Sequence, residues 1–267
     1  MTTLTAVPTA ATAASAREGI PMSRLVRVEL RKLVDTRAGF WLAASIGVIA
    51  VIVAVAMLIS NRNDPAALTF GQFFGMMNVP TGIILPVMAI LLVTSEWSQR
   101  TALSTFTMEP RRERIIIAKL LTALIAAAVA IVLALVLGAI GTVVAGLVFD
   151  DPAGSWSFTA AGLVNAVILQ IFGLLLGFGF AAATLSTPAA IVAYFALPTV
   201  FAIVSQLVPW FADNLGSWID TNSTNAPFQA EVWASGGEWA RLAVSAAIWI
   251  GIPLVFGIRR IMSSEVK

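Results

Sequence analysis

Apolar runs of membrane-crossing length recur along the chain, separated by polar and turn-forming stretches. They cover about Gly39 to Ile59, Gly71 to Ser95, Ile115 to Phe149, Phe158 to Thr184, Ala189 to Trp210 and Arg241 to Ile258. A hydrocarbon core of about 30 Å needs about 20 such residues in a helix, so the pattern predicts six transmembrane helices. The third run is longer than that: about 35 residues at about 1.5 Å each reach roughly 50 Å, which calls for tilt or an extension beyond the membrane. Ahead of the first run, residues 23–37 repeat with a helical period. Val26, Leu30, Leu33 and Val34 fall on one side, and Arg24, Arg27, Arg31 and Asp35 on the other. A basic amphipathic helix of this kind suits the membrane interface, with Arg24, Arg27, Arg31 and Lys32 toward anionic headgroups; a solvated extension of the first span is the other reading. Residues 1–22, rich in Ala and Thr, read as a disordered tail.

The only long charged stretch between strongly apolar runs is Glu96 to Lys119, EWSQRTALSTFTMEPRRERIIIAK. Its Arg100, Arg111, Arg112, Arg114 and Lys119 place it on the cytoplasmic side, where basic residues near helix ends are retained. With both termini inside, 14 of the 16 Lys and Arg residues fall inside and only Arg62 and Arg241 outside, whereas the 14 acidic residues divide evenly. Cations alone set orientation, so this asymmetry predicts the topology. A soluble partner could grip the protein at this loop. Pro110 suits the first turn of the third span. Pro80, Pro86 and Pro198 inside spans should kink them, for function or merely for packing.

Ala134, Gly138, Thr142 and Gly146 form a small-residue stripe that lets helices approach closely, within the chain in preference to a dimer. The Phe211 to Trp239 stretch is polar and Trp-rich, long for a connector, and should carry short helices with Trp218, Trp233 and Trp239 at the outer interface.

Composition agrees with a polytopic membrane protein: 59% hydrophobic, 11% charged, mean hydropathy +0.92. Cysteine and histidine are absent. That removes disulfides, His-ligated metals and Ser-His or Cys-His catalysis, and the chain is not expected to be an enzyme. The pI of about 9.5 does not argue for nucleic acid, because the cations flank apolar spans instead of forming a separate face. Away from their ends the spans offer only uncharged polar groups, Asn78, Asn165, Gln170 and Gln206. These are possible path-lining residues, though interhelical hydrogen bonding is the readier explanation. Without midplane titratable groups, and without a G-x-x-x-x-G-K-[ST] loop, the energy source should be a separate ATPase.

This organisation resembles the ABC-2-type permeases, the membrane subunits of bacterial ABC transporters. Members carry an amphipathic elbow helix and six spans and, between spans two and three, a glutamate, then Gly-Thr, Pro-Arg-Arg and Ala-Lys. The matching residues here are Glu96, Thr101, Pro110, Arg111, Arg112, Ala118 and Lys119, with Arg100 in the glycine position. The resemblance covers about nine-tenths of the chain. It implies an all-α membrane protein with the elbow at residues 23–37, a cytoplasmic coupling helix from Glu96 through Thr107, and short re-entrant outer helices before the last span. It also implies a partner ABC ATPase carrying ATP and Mg, with no cofactor on this chain, and a second permease copy or related permease in a bacterial plasma membrane, surrounded by lipid. The substrate would be a hydrophobic or amphipathic drug, antibiotic, peptide or lipid, exported. In this reading Glu96, Gln99, Arg100 and Ser104 are exposed, Leu103 and Phe106 are apolar anchors, and Thr101, Pro110, Arg111 and Arg112 complete the ATPase contact. The alternative is a non-transporting scaffold or sensor that works with an ATPase.

Overall fold

The computed structural model describes residues 20–149 and 155–263, and these are all-helical, with no strand among them. Most of the tail expected at residues 1–22 lies outside the described residues; Met22 already opens the first helix. In chain order the main helices are α1 (Met22–Asp35), α2 (Arg37–Ser60), α3 (Phe70–Ser98), α4 (Ala102–Met108), α5 (Arg112–Phe149), α6 (Ala160–Thr184), α7 (Thr187–Leu207) and α8 (Gly236–Ser263). Six of them, α2, α3, α5, α6, α7 and α8, are long and apolar enough to cross a membrane, which marks the chain as a multi-pass membrane protein.

Local chemistry fixes most boundaries. Thr36, Thr69 and Thr159 cap α2, α3 and α6, accepting from the amides of Gly39, Gln72 and Gly162. Ser235 and Glu238 form a reciprocal capping box. The last span therefore begins five residues before the expected Arg241, which lies inside the helix. α7 ends at Leu207, short of Trp210, because Pro209 cannot continue the ladder. Pro110 precedes α5, which starts at Arg112, instead of sitting in its first turn.

The corner between α1 and α2 is tight enough that a Cβ on Gly39 would meet the Leu33 carbonyl oxygen at 1.8 Å. Only glycine allows that approach.

α3 is the hub, packed against α5, α6 and α2, with Phe73, Met77, Leu85 and Ile90 among its buried side chains. Small residues make the contacts close, because lipid supplies no hydrophobic drive between helices. The α5 stripe faces α3: a Cβ on Gly138 would lie 3.1 Å from the Phe74 amide nitrogen, and one on Gly141 would lie 2.6 Å from the Phe73 ring. The expected stripe thus packs within the chain, shared by Ala134, Gly138, Gly141, Thr142 and Ala145, with Gly146 only half-buried. On α6, Gly177 abuts Pro86 of α3, while Gly257 of α8 abuts Ala182. α2 and α7 lie outermost, presenting exposed apolar faces such as Val51, Val55, Val192 and Leu207. A π-helical turn at Ala247–Gly251 precedes Pro253, a local widening where the proline interrupts the ladder.

Candidate functional site

The end of the bundle that carries α1 and α4 holds most of the charge. Glu29 and Lys32 come from α1, Glu96 from the last turn of α3, and Lys119 from the second turn of α5. The contacts close into a ring of alternating sign: Lys32 to Glu29 at 2.6 Å, Glu29 to Lys119 at 2.8 Å, Lys119 to Glu96 at 3.2 Å, and Glu96 to Lys32 at 2.7 Å. Lys119 also donates to the Leu92 carbonyl at 2.8 Å. Glu29, Glu96 and Lys119 are 4%, 4% and 5% exposed, whereas the Lys32 side chain keeps 37% of its surface. Buried charges persist when each is paired and hydrogen-bonded, and a ring of two acids and two bases gives every member two partners of opposite sign. Burial acts to lower the Lys32 pKa, but the Glu29 and Glu96 carboxylates outweigh it and hold the ammonium above its ordinary value.

Two expectations are corrected by this ring. Glu96 was expected exposed on the loop helix; it belongs to α3 and is buried, because its side chain faces α1 and α5 and finds cations there. Lys32 was expected toward lipid headgroups; it turns inward, and of the four basic residues on α1 only Arg24, Arg27 and Arg31 stay exposed. Glu29 was not singled out at all. Its signal was present, since Leu25, Glu29 and Leu33 recur at four-residue spacing on the inward stripe of α1.

Below the ring, α3 ends in a Schellman motif: the Thr101 amide donates to the Glu96 carbonyl at 2.9 Å, and the Arg100 amide to Trp97 at 3.3 Å. Arg100 takes the left-handed conformation this motif requires, with φ 56°. The chain reverses there into α4. Phe106 was expected to reach outward as an anchor. Instead it packs beside Trp97, with ring centres 6.2 Å apart, under the Arg112 guanidinium at 4.7 Å. The apolar side chains α4 leaves outward are Leu103 and Met108, 54% and 77% exposed. Ser104, Gln99, Arg100, Thr101, Pro110 and Arg111 are exposed as well.

The far flank is tied down by charge-assisted bonds. Arg112 donates to the Ile261 carbonyl of α8 at 2.6 Å, Arg114 pairs with Glu109 at 2.9 Å and also donates to the Ile20 carbonyl, and Arg260 donates to Ala183 of α6 at 2.6 Å. A cavity of about 410 Å³ opens between the α1–α2 corner, α3 and α4, with Leu33, Met88 and Leu92 inside and Thr36, Ser95 and Gln99 at polar positions on its wall.

The four uncharged polar residues of the spans do not converge. Asn78 donates to the Phe74 carbonyl of its own helix, and Gln170 bonds Thr81 of α3. Asn165 donates to the Ala230 and Val232 carbonyls, both at 2.9 Å, pinning the segment before α8 across the start of α6. Gln206 is exposed at the end of α7. Among the described residues no cluster of acidic side chains has the makings of a metal site.

Compared with known proteins, the chain matches no family model and no curated sequence at a significant level.

Proposed function

We propose that the chain is the permease subunit of an ATP-driven transporter of the ABC-2 type, moving a hydrophobic or amphipathic substrate outward. The observation that carries this reading is the joint at Arg100. The ABC-2 pattern that the sequence resembles has glycine at this position, and here the position needs a positive φ, which glycine adopts without strain. The pattern and the backbone geometry coincide even though the side chain differs. In this reading the α4 end faces the cytoplasm, α1 is the interfacial elbow, α4 is the coupling helix, and the turns between α7 and α8 face outward.

The physical account follows from the bracing. α4 offers Leu103, Ser104, Thr107 and Met108 to a soluble partner while Phe106 and Arg112 fasten its other side. The charge ring ties α1, α3 and α5 immediately beside it. A push on α4 by a closing ATPase is then transmitted to three helices as one rigid block, the kind of interface-driven motion that alternates access. α3 is the most buried of the six spans and packs against α5, α6 and α2; in this reading the path forms against a second permease copy or a related permease.

The test is co-expression with a nucleotide-binding subunit, followed by purification and reconstitution. The complex is expected to hydrolyse ATP and move substrate into inside-out vesicles, and the permease alone to hydrolyse none above background. Leu103→Asp or Met108→Asp should abolish recovery of the ATPase while membrane insertion stays normal. ATP hydrolysis by the pure chain, or full assembly of both variants, would overturn the reading; assembly and hydrolysis without substrate movement would favour a scaffold.

A further inference from the structure

Between the end of α7 and the short helical turns that follow it lies an open pocket of about 530 Å³, lined by Ser205, Gln206, Gly216, Asp220, Asn222 and Ser223 among others. This volume lies within the range of small-molecule sites, about 300 to 1,000 Å³, and is far larger than a bare metal ion needs. Asp220 is 3% exposed and makes no ion pair among the described residues. It caps the turn Thr221–Asn225: one carboxylate oxygen accepts from the Asn222 amide at 3.1 Å, the other from the Ser223 hydroxyl at 2.8 Å. A carboxylate offers about four acceptor sites, so about two remain.

The surrounding sequence is poor in cations as well. No lysine or arginine occurs between Lys119 and Arg241, and the Arg241 guanidinium lies over the Trp218 ring, 6.0 Å from its centre. A buried carboxylate without a cation is costly. A hydrogen-bonding cation entering the pocket would supply the missing partner.

We propose that this pocket binds an organic ammonium group, with the Asp220 carboxylate as its counter-ion and the Gln206 and Asn222 side-chain oxygens as acceptors for its N–H bonds. Ethanolamine headgroups of membrane lipid and soluble amines share this chemistry. The inference does not rest on the transporter reading, since binding can be measured on the chain without ATPase or nucleotide.

The experiment is calorimetric titration of the purified full chain, in phosphatidylcholine nanodiscs, with ethanolamine and with ethylene glycol, its neutral counterpart of nearly equal size. Ethanolamine is expected to bind saturably and at least tenfold more tightly. Asp220→Asn should weaken it at least tenfold without shifting the unfolding midpoint, because Asn caps a helix as well as Asp does. Repeating the titration in nanodiscs that contain phosphatidylethanolamine separates the sources: lost binding identifies the lipid headgroup as occupant, and retained binding a soluble amine. Equal affinity for the two probes, or wild-type ethanolamine affinity in Asp220→Asn, overturns the proposal. Should that variant fail to fold, Gln206→Ala decides: several-fold weaker ethanolamine binding supports the site, and unchanged binding overturns it.

Discussion

The Tyr194 hydroxyl of α7 lies 3.4 Å from the carbonyl oxygen of Gly82 in α3. Pro86, four residues further along α3, has no N–H to give that carbonyl its helical bond. The single tyrosine of the chain thus meets an acceptor that a proline has freed, in a setting where water is scarce.

Tyr194→Phe is therefore expected to cost about 0.5 kcal/mol, the usual scale of an interhelical hydrogen bond in a membrane protein. In a Pro86→Ala background, which restores the ladder donor, the same change should cost nothing. Unfolding midpoints of the four proteins in detergent form the double-mutant cycle, and additive losses would show that the contact is incidental.

Within the charge ring, Lys119→Met leaves Glu29 and Glu96 to share Lys32. The loss is expected to be about 3 to 5 kcal/mol, the scale of breaking a buried pair. Adding Glu29→Gln to Lys119→Met rebalances the ring and should recover part of it, as thermal unfolding would reveal. Lys32→Met, at a more exposed position, should cost less than Lys119→Met.

The raised Lys32 pKa gives the ring a pH signature. Folding holds this proton more tightly than the unfolded chain does, so the contribution is complete below the ordinary lysine value of 10.5 and is lost as pH rises through the higher folded value. Unfolding midpoints measured from pH 8 to about 11.5 should fall at the alkaline end in the wild type. The fall should be shallower in Lys32→Met, and identical slopes would remove Lys32 from the account.

At the joint between α3 and α4, Arg100→Gly is expected to stabilise the chain by up to about 1 kcal/mol, since glycine adopts the left-handed conformation without a Cβ penalty. Arg100→Val should destabilise it. A midpoint unchanged in both would mean that the joint is not held in that conformation.

Gly257→Leu should separate α8 from α6, because even a Cβ there would lie 2.5 Å from the Ala182 backbone and side chain. Overpacking of this kind costs about 1 to 3 kcal/mol. Gly47→Ala, on the outer α2 with nothing within 4 Å of the new Cβ, is the matched control and should be neutral or slightly stabilising. Gel-filtration homogeneity and unfolding midpoints of the two variants check the contrast.

What the sequence by itself determined is the set of helices. A chain in lipid must satisfy its backbone polar groups within each helix, so length and hydropathy alone mark the spans, and the helical period alone marks α1. The small residues of α5 announced a close packing surface for the same local reason. Only the tertiary structure decided where the charged side chains of the α4 end point. Whether Glu96 meets water or a lysine depends on how α1 and α5 cross α3, and whether Phe106 reaches outward depends on Trp97 and Arg112 closing over it. The polar pocket at Asp220 was equally hidden, because Ser205 and Asp220 belong to separate elements that only the fold brings together. Pairings between distant helices are set by crossing geometry, which leaves no period in the sequence.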